Sequence, residues 1–373
     1  MKVWDGVRTI VHTGGSEVNL ALKGRGYMCS DECIVLAEMT MVVIFAIKVF
    51  LLFSSDIYCL INPMKMNKKR KFSSYKDIKN IVFFEITTGI TANVILLLFH
   101  ILMFLLKHRP KPLDLTIAQL ALVHWMLLVT MGFIATDTFE FEGWGNDFMC
   151  KSVIYVNRLM RALSICTTCL LSVLQAIILS PRNSFLAKFK HKSSHYYPCC
   201  LVFLWVLNML LNIRFLISIG ATPNGTSHSL NFVTESCSQW PISYFFRYIF
   251  LSLVNIQDIS FVGLMALSSG YMVNLLCRHK RQFQHLHHSN LSPKAYPGER
   301  ATQTILVLTG FFMLMYCLDC VIFSSLVVLW NNDPIYHCVQ MLVGNAYATM
   351  CPFVLMSTEK RMMEWLISMR KRQ

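Results

Sequence analysis

Charge is scarce in this chain. Only 14% of its 373 residues are Asp, Glu, Lys or Arg, against roughly 25% in soluble proteins. Combined with 55% hydrophobic residues, that shortage excludes an ordinary soluble domain. Internal repeats with a period of roughly 20–50 residues are missing, which excludes solenoids and propellers. So is any glycine-rich loop able to cradle phosphate. No nucleophile–base–orienter set and no metal-ligand cluster stands out, so neither an enzyme nor a cofactor is expected. The fourteen cysteines are scattered, many within apolar runs, and do not form the framework of a small secreted domain.

What the chain does have is long apolar runs. The stretch CKSVIYVNRLMRALSICTTCLLSVLQAIILSPR, residues 150–182, exceeds the roughly 20 residues that span a bilayer as a helix. Arg158 and Arg161 fall inside it. A charge facing lipid there costs at least ~2.5 kcal/mol, so both should face a protein or water interior. A single helix has no such interior, and the stretch therefore predicts a bundle. Apolar segments follow one another at 81–106, 113–135, 150–179, 197–220, 241–276, 302–329 and 337–357. They are too long for barrel strands, which leaves helices. The expected fold is an all-α membrane protein, with residues 81–357 as a seven-helix transmembrane domain.

The formal charge of +14 is concentrated in short connections, which points to membrane orientation rather than nucleic acid. The first connection holds Lys107, Arg109 and Lys111; the third, Arg182, Lys188, Lys190 and Lys192. The fifth holds Arg278, Lys280, Arg281, Lys294 and Arg300, and the tail is basic too. Connections 136–149, 221–240 and 330–336 contain no Lys or Arg. This alternation predicts that the first, third and fifth connections and the C-terminus lie in the cytoplasm; the expected location is the plasma membrane. The basic segment 64–80 argues locally for the opposite placement of the first helix, but the alternating connections agree with one another. Residues 1–63 form an extension of uncertain status. Its apolar run at 34–53 carries Glu38 and Lys48 and reads as an extra helix, an uncleaved anchor or an upstream addition.

Several residues are site candidates under that topology. Asn224-Gly225-Thr226 is a glycosylation sequon in an outer connection; Asn290-Leu291-Ser292 also matches but lies in a cytoplasmic one. Cys150 and Cys237 both fall on the outer side, where a disulfide would pin the long outer loop to the third helix. Two free thiols, or a bond involving Cys338, are the alternatives. Arg158 and Arg161 share a helix face, and Asp319 lies in the same half of the membrane. They line a ligand cavity, or they form an internal arginine–aspartate pair that only holds helices together. Glu85, Arg214, Arg247 and Asp258 are further charges within spans. Cys166-Thr-Thr-Cys169 and Cys317-Leu-Asp-Cys320 have zinc-like spacing, but within membrane helices cysteine reads as a small packing residue. The histidines at 279, 285, 287 and 288 read as a solvated loop. In the tail 358–373, Met362, Trp365, Leu366 and Met369 repeat at helical spacing and predict a short amphipathic helix on the inner membrane surface.

Longer motifs carry a resemblance. LMRALSICTTCLLSVLQAIILSPRNS, DISFVGLMALSSGYMV and SPKAYPGERATQTILVLTGFFMLMYCLDC occur in order, with LDLTIAQLALVHWMLLVTMGFIATDTF before them and CPFVLMSTEK after. Over roughly 75–373 the chain resembles the vomeronasal type-1 receptors. The resemblance implies a seven-helix G-protein-coupled receptor for pheromones or related odorants, carried by vomeronasal sensory neurons. It also implies a heterotrimeric G protein of inhibitory type as partner. The family's outer disulfide maps onto Cys150 and Cys237, and its sequon onto Asn224. The Asp-Arg-Tyr usual in rhodopsin-like receptors is absent at Leu174-Gln175-Ala176, and Cys351-Pro352-Phe353 stands in place of Asn-Pro. The vomeronasal family shares both absences.

The expected function is a receptor whose outer-half cavity binds a small ligand. Arg182, Arg278, Lys280 and Arg281 would meet an acidic partner at the cytoplasmic ends. The rivals are another chemosensory receptor, such as a bitter-taste type, and a transporter or channel. Inverted repeats and broken paired helices, common in transporters, are not visible.

Overall fold

The structure, a computed structural model, describes residues 68–106, 111–140, 146–181, 187–221, 231–232, 237–239, 244–286, 302, 305–319 and 334–358. The run at 34–53, the sequon at Asn224, Arg182 and the amphipathic tail lie outside the described residues.

Among the described residues, seven longer helices make the architecture: α1 (Lys68–Leu106), α2 (Pro112–Glu140), α3 (Asp147–Leu179), α4 (Ala187–Asn212), α5 (Tyr244–Leu286), α6 (Ile305–Asp319) and α7 (Pro334–Thr358). All but α6 contain a stretch long and apolar enough to cross a membrane. Exposed apolar side chains cover the bundle: Phe84, Leu98, Phe203, Ile259 and Leu267 are each at least 59% exposed. Such a surface in water would be an aggregation hazard, and in a bilayer it is the solvent contact. The chain is a multi-pass membrane protein.

Local chemistry sets the helix ends. Pro112 opens α2, where its missing N–H costs nothing, and Asp114 in the first turn suits the positive end of the helix dipole. Asn146 caps α3, its side chain accepting from the Phe148 N–H at 3.2 Å. α3 stops at Ser180, because Pro181 follows and disfavours helix at the residue before it. α1 begins well before the apolar run at 81, within the basic segment. α5 is 43 residues long, about 65 Å at 1.5 Å per residue, more than twice the hydrocarbon thickness.

α3 is the central rod. It has the largest buried share of any span, 67% of its most apolar window. Its buried polar residues reach other helices in turn. Asn157 donates to Thr130 Oγ1 on α2 at 3.1 Å, and Ser164 bonds His124 Nε2 on α2 at 2.8 Å. Thr168 bonds the Tyr347 hydroxyl on α7 at 3.0 Å, and Ser172 bonds Ser268 on α5 at 2.7 Å. Gln175 donates to Thr302 Oγ1, just before α6, at 3.0 Å. With no water in the bilayer core, such bonds fix helix order, each worth about 0.6 kcal/mol on average.

α1 and α7 approach closely. A Cβ on Gly89 would lie 2.7 Å from Thr349 Oγ1 and 3.2 Å from its Cα, so only glycine permits this contact. One turn along, Asn93 donates to Ala348 O at 2.9 Å and to Gly89 O in its own helix at 2.8 Å.

After α4 the chain breaks at Ile213, makes a short helical turn (Arg214–Ser218) and enters a three-stranded antiparallel sheet. Its strands are β1 (Ile219–Ala221), β2 (Asn231–Phe232) and β3 (Cys237–Gln239), with β3 in the middle. The sequence gives no sign of it. The Ala221 N–H donates to Asp147 at 3.1 Å, anchoring β1 to the start of α3.

Candidate functional site

Below the sheet lies a cavity of about 380 Å³. α3 supplies Arg158 and Arg161, the turn after α4 supplies Arg214 and Phe215, α5 supplies Asp258, and α6 supplies Tyr316 and Asp319. α2 and α7 close the remaining sides, with Met131 and Tyr347 among their contributions. The volume is within the range of small-molecule sites.

Along α3, Arg158 and Arg161 stand about 12 and 16 Å from Cys150. The charged lining is three arginines against two aspartates, an excess of one positive charge. Arg161 Nη1 lies 3.4 Å from Asp319 Oδ2 and 3.5 Å from the Gly344 carbonyl. Asp258 receives a long contact from the Tyr316 hydroxyl, 3.4 Å. Arg158 has no carboxylate partner among the described residues; its guanidinium carbon stands 5.6 Å from the centre of the Phe215 ring. Arg214 approaches the same ring at 4.5 Å. Cations over an aromatic face gain about 0.5–2 kcal/mol, which compensates only part of the lost hydration. The exposed Arg158 side chain therefore offers the cavity a cation not engaged by an acid.

Arg161 and Asp319 pair, and both line the cavity with Arg158. Arg214, Phe215, Asp258 and Tyr316 complete it. Arg214 and Asp258 are visible in the sequence as charges within spans, but nothing there groups them with Arg158. Arg247 lies on α5, and its side chain is outside the described residues.

The roof is held by a disulfide between Cys150 and Cys237, with Cα atoms 5.7 Å apart. It joins the first turn of α3 to the middle strand of the sheet, and Cys150, Ile154, Ile219 and Cys237 form a buried cluster around it. Cys338 is therefore not the partner of either. Cys166 and Cys169 are buried thiols; Cys166 accepts from Asn208 and Gln257 at 3.3 and 3.5 Å, which makes it a packing element between α3, α4 and α5. Cys317 is exposed, and Cys320 lies outside the described residues. At the opposite end of the bundle, Arg278 is exposed on α5. Lys280 and Arg281 follow on the same helix, their side chains outside the described residues.

Comparison with known proteins places the chain in context. The vomeronasal organ pheromone receptor family matches residues 76–368. Vomeronasal type-1 receptor 90 of Rattus norvegicus is 51% identical over 293 residues, covering 79% of this chain and 94% of the relative. Vomeronasal type-1 receptor 100 of the same species is 48% identical, over 82% of this chain and 93% of the relative. Vomeronasal type-1 receptor 51 of Mus musculus is 48% identical, over 81% and 95% respectively.

Proposed function

The chain belongs to the vomeronasal type-1 receptor family, a family of seven-helix chemosensory receptors and not of enzymes, and from that premise we propose how its cavity works. A small pheromone or odorant enters beneath the disulfide-held sheet. It binds among Arg158, Arg161 and Asp319, with Arg214, Phe215 and Asp258 completing the contacts. Binding favours one of two helix arrangements through differential affinity. A heterotrimeric G protein of inhibitory type reads the change at the opposite end, where Arg182, Arg278, Lys280 and Arg281 offer positive charge. The observation that carries this reading is the Arg158 guanidinium, which lines the cavity without forming a salt bridge among the described residues. Such a cation suits a ligand with an anionic or strongly hydrogen-bond-accepting group.

The basic connections support a cytoplasmic C-terminus and an outward-facing cavity, which makes Asn224 an acceptor for glycan. The family match covers residues 76–368, which supports residues 81–357 as the working domain, with 1–63 as an extension, 64–80 as a basic N-terminal segment and 358–373 as a cytoplasmic tail. Vomeronasal sensory neurons are the proposed site of expression.

The test is a panel of small volatile and anionic compounds, applied to cells expressing the chain with an inhibitory-type G-protein reporter. The expected result is agonist-dependent exchange that Arg158→Gln weakens while surface delivery holds. Agonists whose potency is indifferent to Arg158→Gln and Arg161→Ala would overturn the cavity assignment. A chain lacking residues 1–63 should signal as the full chain does; loss of insertion would overturn the division of domains.

A further inference from the structure

The seam between α1 and α7 holds polar atoms that the receptor reading leaves unused. The two helices run side by side in the same direction. Met341 and Leu342 of α7 pack against the cluster of Ile78, Val82, Ile86, Met131 and Ala135, and further along both chains Asn93 bonds Ala348 O. Gly89 faces Thr349, since a Cβ on it would lie 2.7 Å from Thr349 Oγ1. Four residues earlier on each helix stand Glu85 and Asn345, one turn up and on nearly the same face. They therefore meet at one level of the seam, about 6 Å from the contact of Gly89 with Thr349. Asn345 is fully buried, and neither end of its amide has a hydrogen-bond partner among the described residues. Glu85 Oε2 and Thr349 Oγ1 are buried there without a partner as well. Glu85 forms no salt bridge among the described residues. Asn345 stands about 100° round α7 from Gly344 and does not line the cavity, so this cluster lies behind α7 as seen from Arg161.

We propose that Glu85, Asn345 and Thr349 form a binding site for a monovalent metal cation, with sodium as the ion. A carboxylate within a span is costly unless its charge is balanced, and a buried amide with both ends unpaired adds to that cost. A cation answers both demands. Carboxylate, amide and hydroxyl oxygens are the ligands of a hard metal ion. One carboxylate balances one positive charge, so a monovalent ion leaves the seam neutral, whereas a divalent ion would leave a net charge inside the bilayer. The ion draws its ligands from two helices, so it binds only while α1 and α7 are packed, and it stabilises that packing by mass action. The choice of sodium rests on the orientation proposed above, which puts this level of α1 in the outer half of the membrane, nearer the sodium-rich side.

The experiment uses the full chain purified in detergent. Its unfolding temperature is read as sodium chloride replaces N-methyl-D-glucamine chloride at constant ionic strength. No agonist is needed, so failure here leaves the cavity reading standing, and failure of the cavity reading leaves this one. The expected result is a saturable rise of about 2–4 °C for the wild-type chain, lost in Glu85→Gln and in Asn345→Ala. A wild type indifferent to sodium overturns the inference, as does a rise undiminished in either variant. Should one of these variants fail to fold, Thr349→Val takes its place: a lost rise supports the site, and an undiminished rise overturns it. Sodium NMR line width on the wild-type chain gives a second readout, where saturable broadening supports binding and unchanged line width overturns it.

Discussion

The Arg161 guanidinium stands 3.4 Å from the Asp319 carboxylate and 3.5 Å from the Gly344 carbonyl, so one side chain of α3 engages α6 and α7 together. The contact is only part-buried, with the two side chains 28% and 25% exposed. It is therefore open to rearrangement if a ligand enters as proposed.

Gly344→Ala probes this contact with one carbon. A Cβ there would lie 2.8 Å from Arg161 Nη1 and 3.0 Å from Nη2. The obstructed atoms are the far end of a flexible side chain, so the helices need not move, but the guanidinium must. We expect normal surface delivery with a weakened ligand response. Arg161→Ala should weaken it further: a charged hydrogen bond worth about 1.5–3 kcal/mol corresponds to roughly ten- to a hundredfold in potency. Collapse of delivery in either variant would mean that the pair serves folding alone.

At Gly89 the obstruction is less forgiving. The added Cβ would lie 2.7 Å from Leu128 Cδ1 and 3.2 Å from the Thr349 backbone. Gly89→Ala should cost about 1–3 kcal/mol, the usual range for overpacking. Thermal unfolding in detergent should shift to lower temperature, and Gly89→Val should shift it further. An unchanged melting temperature for both would show that α1 and α7 are not packed as described.

Serine at Cys150 or Cys237 removes a link that spans 87 residues. Loss of a native disulfide costs about 2–5 kcal/mol in small domains. Surface delivery should fall to a similar extent in each single variant and no further in the double variant. Unequal losses would assign the cysteines separate roles.

Gln175 ties the far end of α3 to Thr302 at the approach to α6. Gln175 is buried and its amide is neutral, so the tie here is uncharged. Gln175→Ala should lower the cost of parting α3 from α6 and raise ligand-independent G-protein exchange several-fold, since a bond of about 1 kcal/mol shifts a two-state ratio by roughly five. Basal exchange equal to wild type would show that this bond does not bias the equilibrium.

The spans were legible because lipid imposes a simple demand, a continuous apolar run of sufficient length. Arg158, Arg161 and Asp319 were legible as cavity candidates because a charge inside such a run must find company. What the sequence hid depends on how one helix is rotated against the next. Arg214 reaches the cavity only because the chain breaks at Ile213, and Asp258 reaches it from α5. The apolar run stops at 135, while α2 continues to Glu140 and buries Asp137 fully, which the run alone does not show. The sheet escaped notice because strands of two or three residues are too short to show alternation.

Asn93 spends its amide on two carbonyls, one in its own helix and one in α7. An axial slide of α7 past α1 by a single residue, about 1.5 Å, would tear the second bond and drive Thr349 into Gly89. That seam therefore has no piston stroke available. A swing of the other helices leaves this seam intact, whereas a slide of α7 along α1 does not.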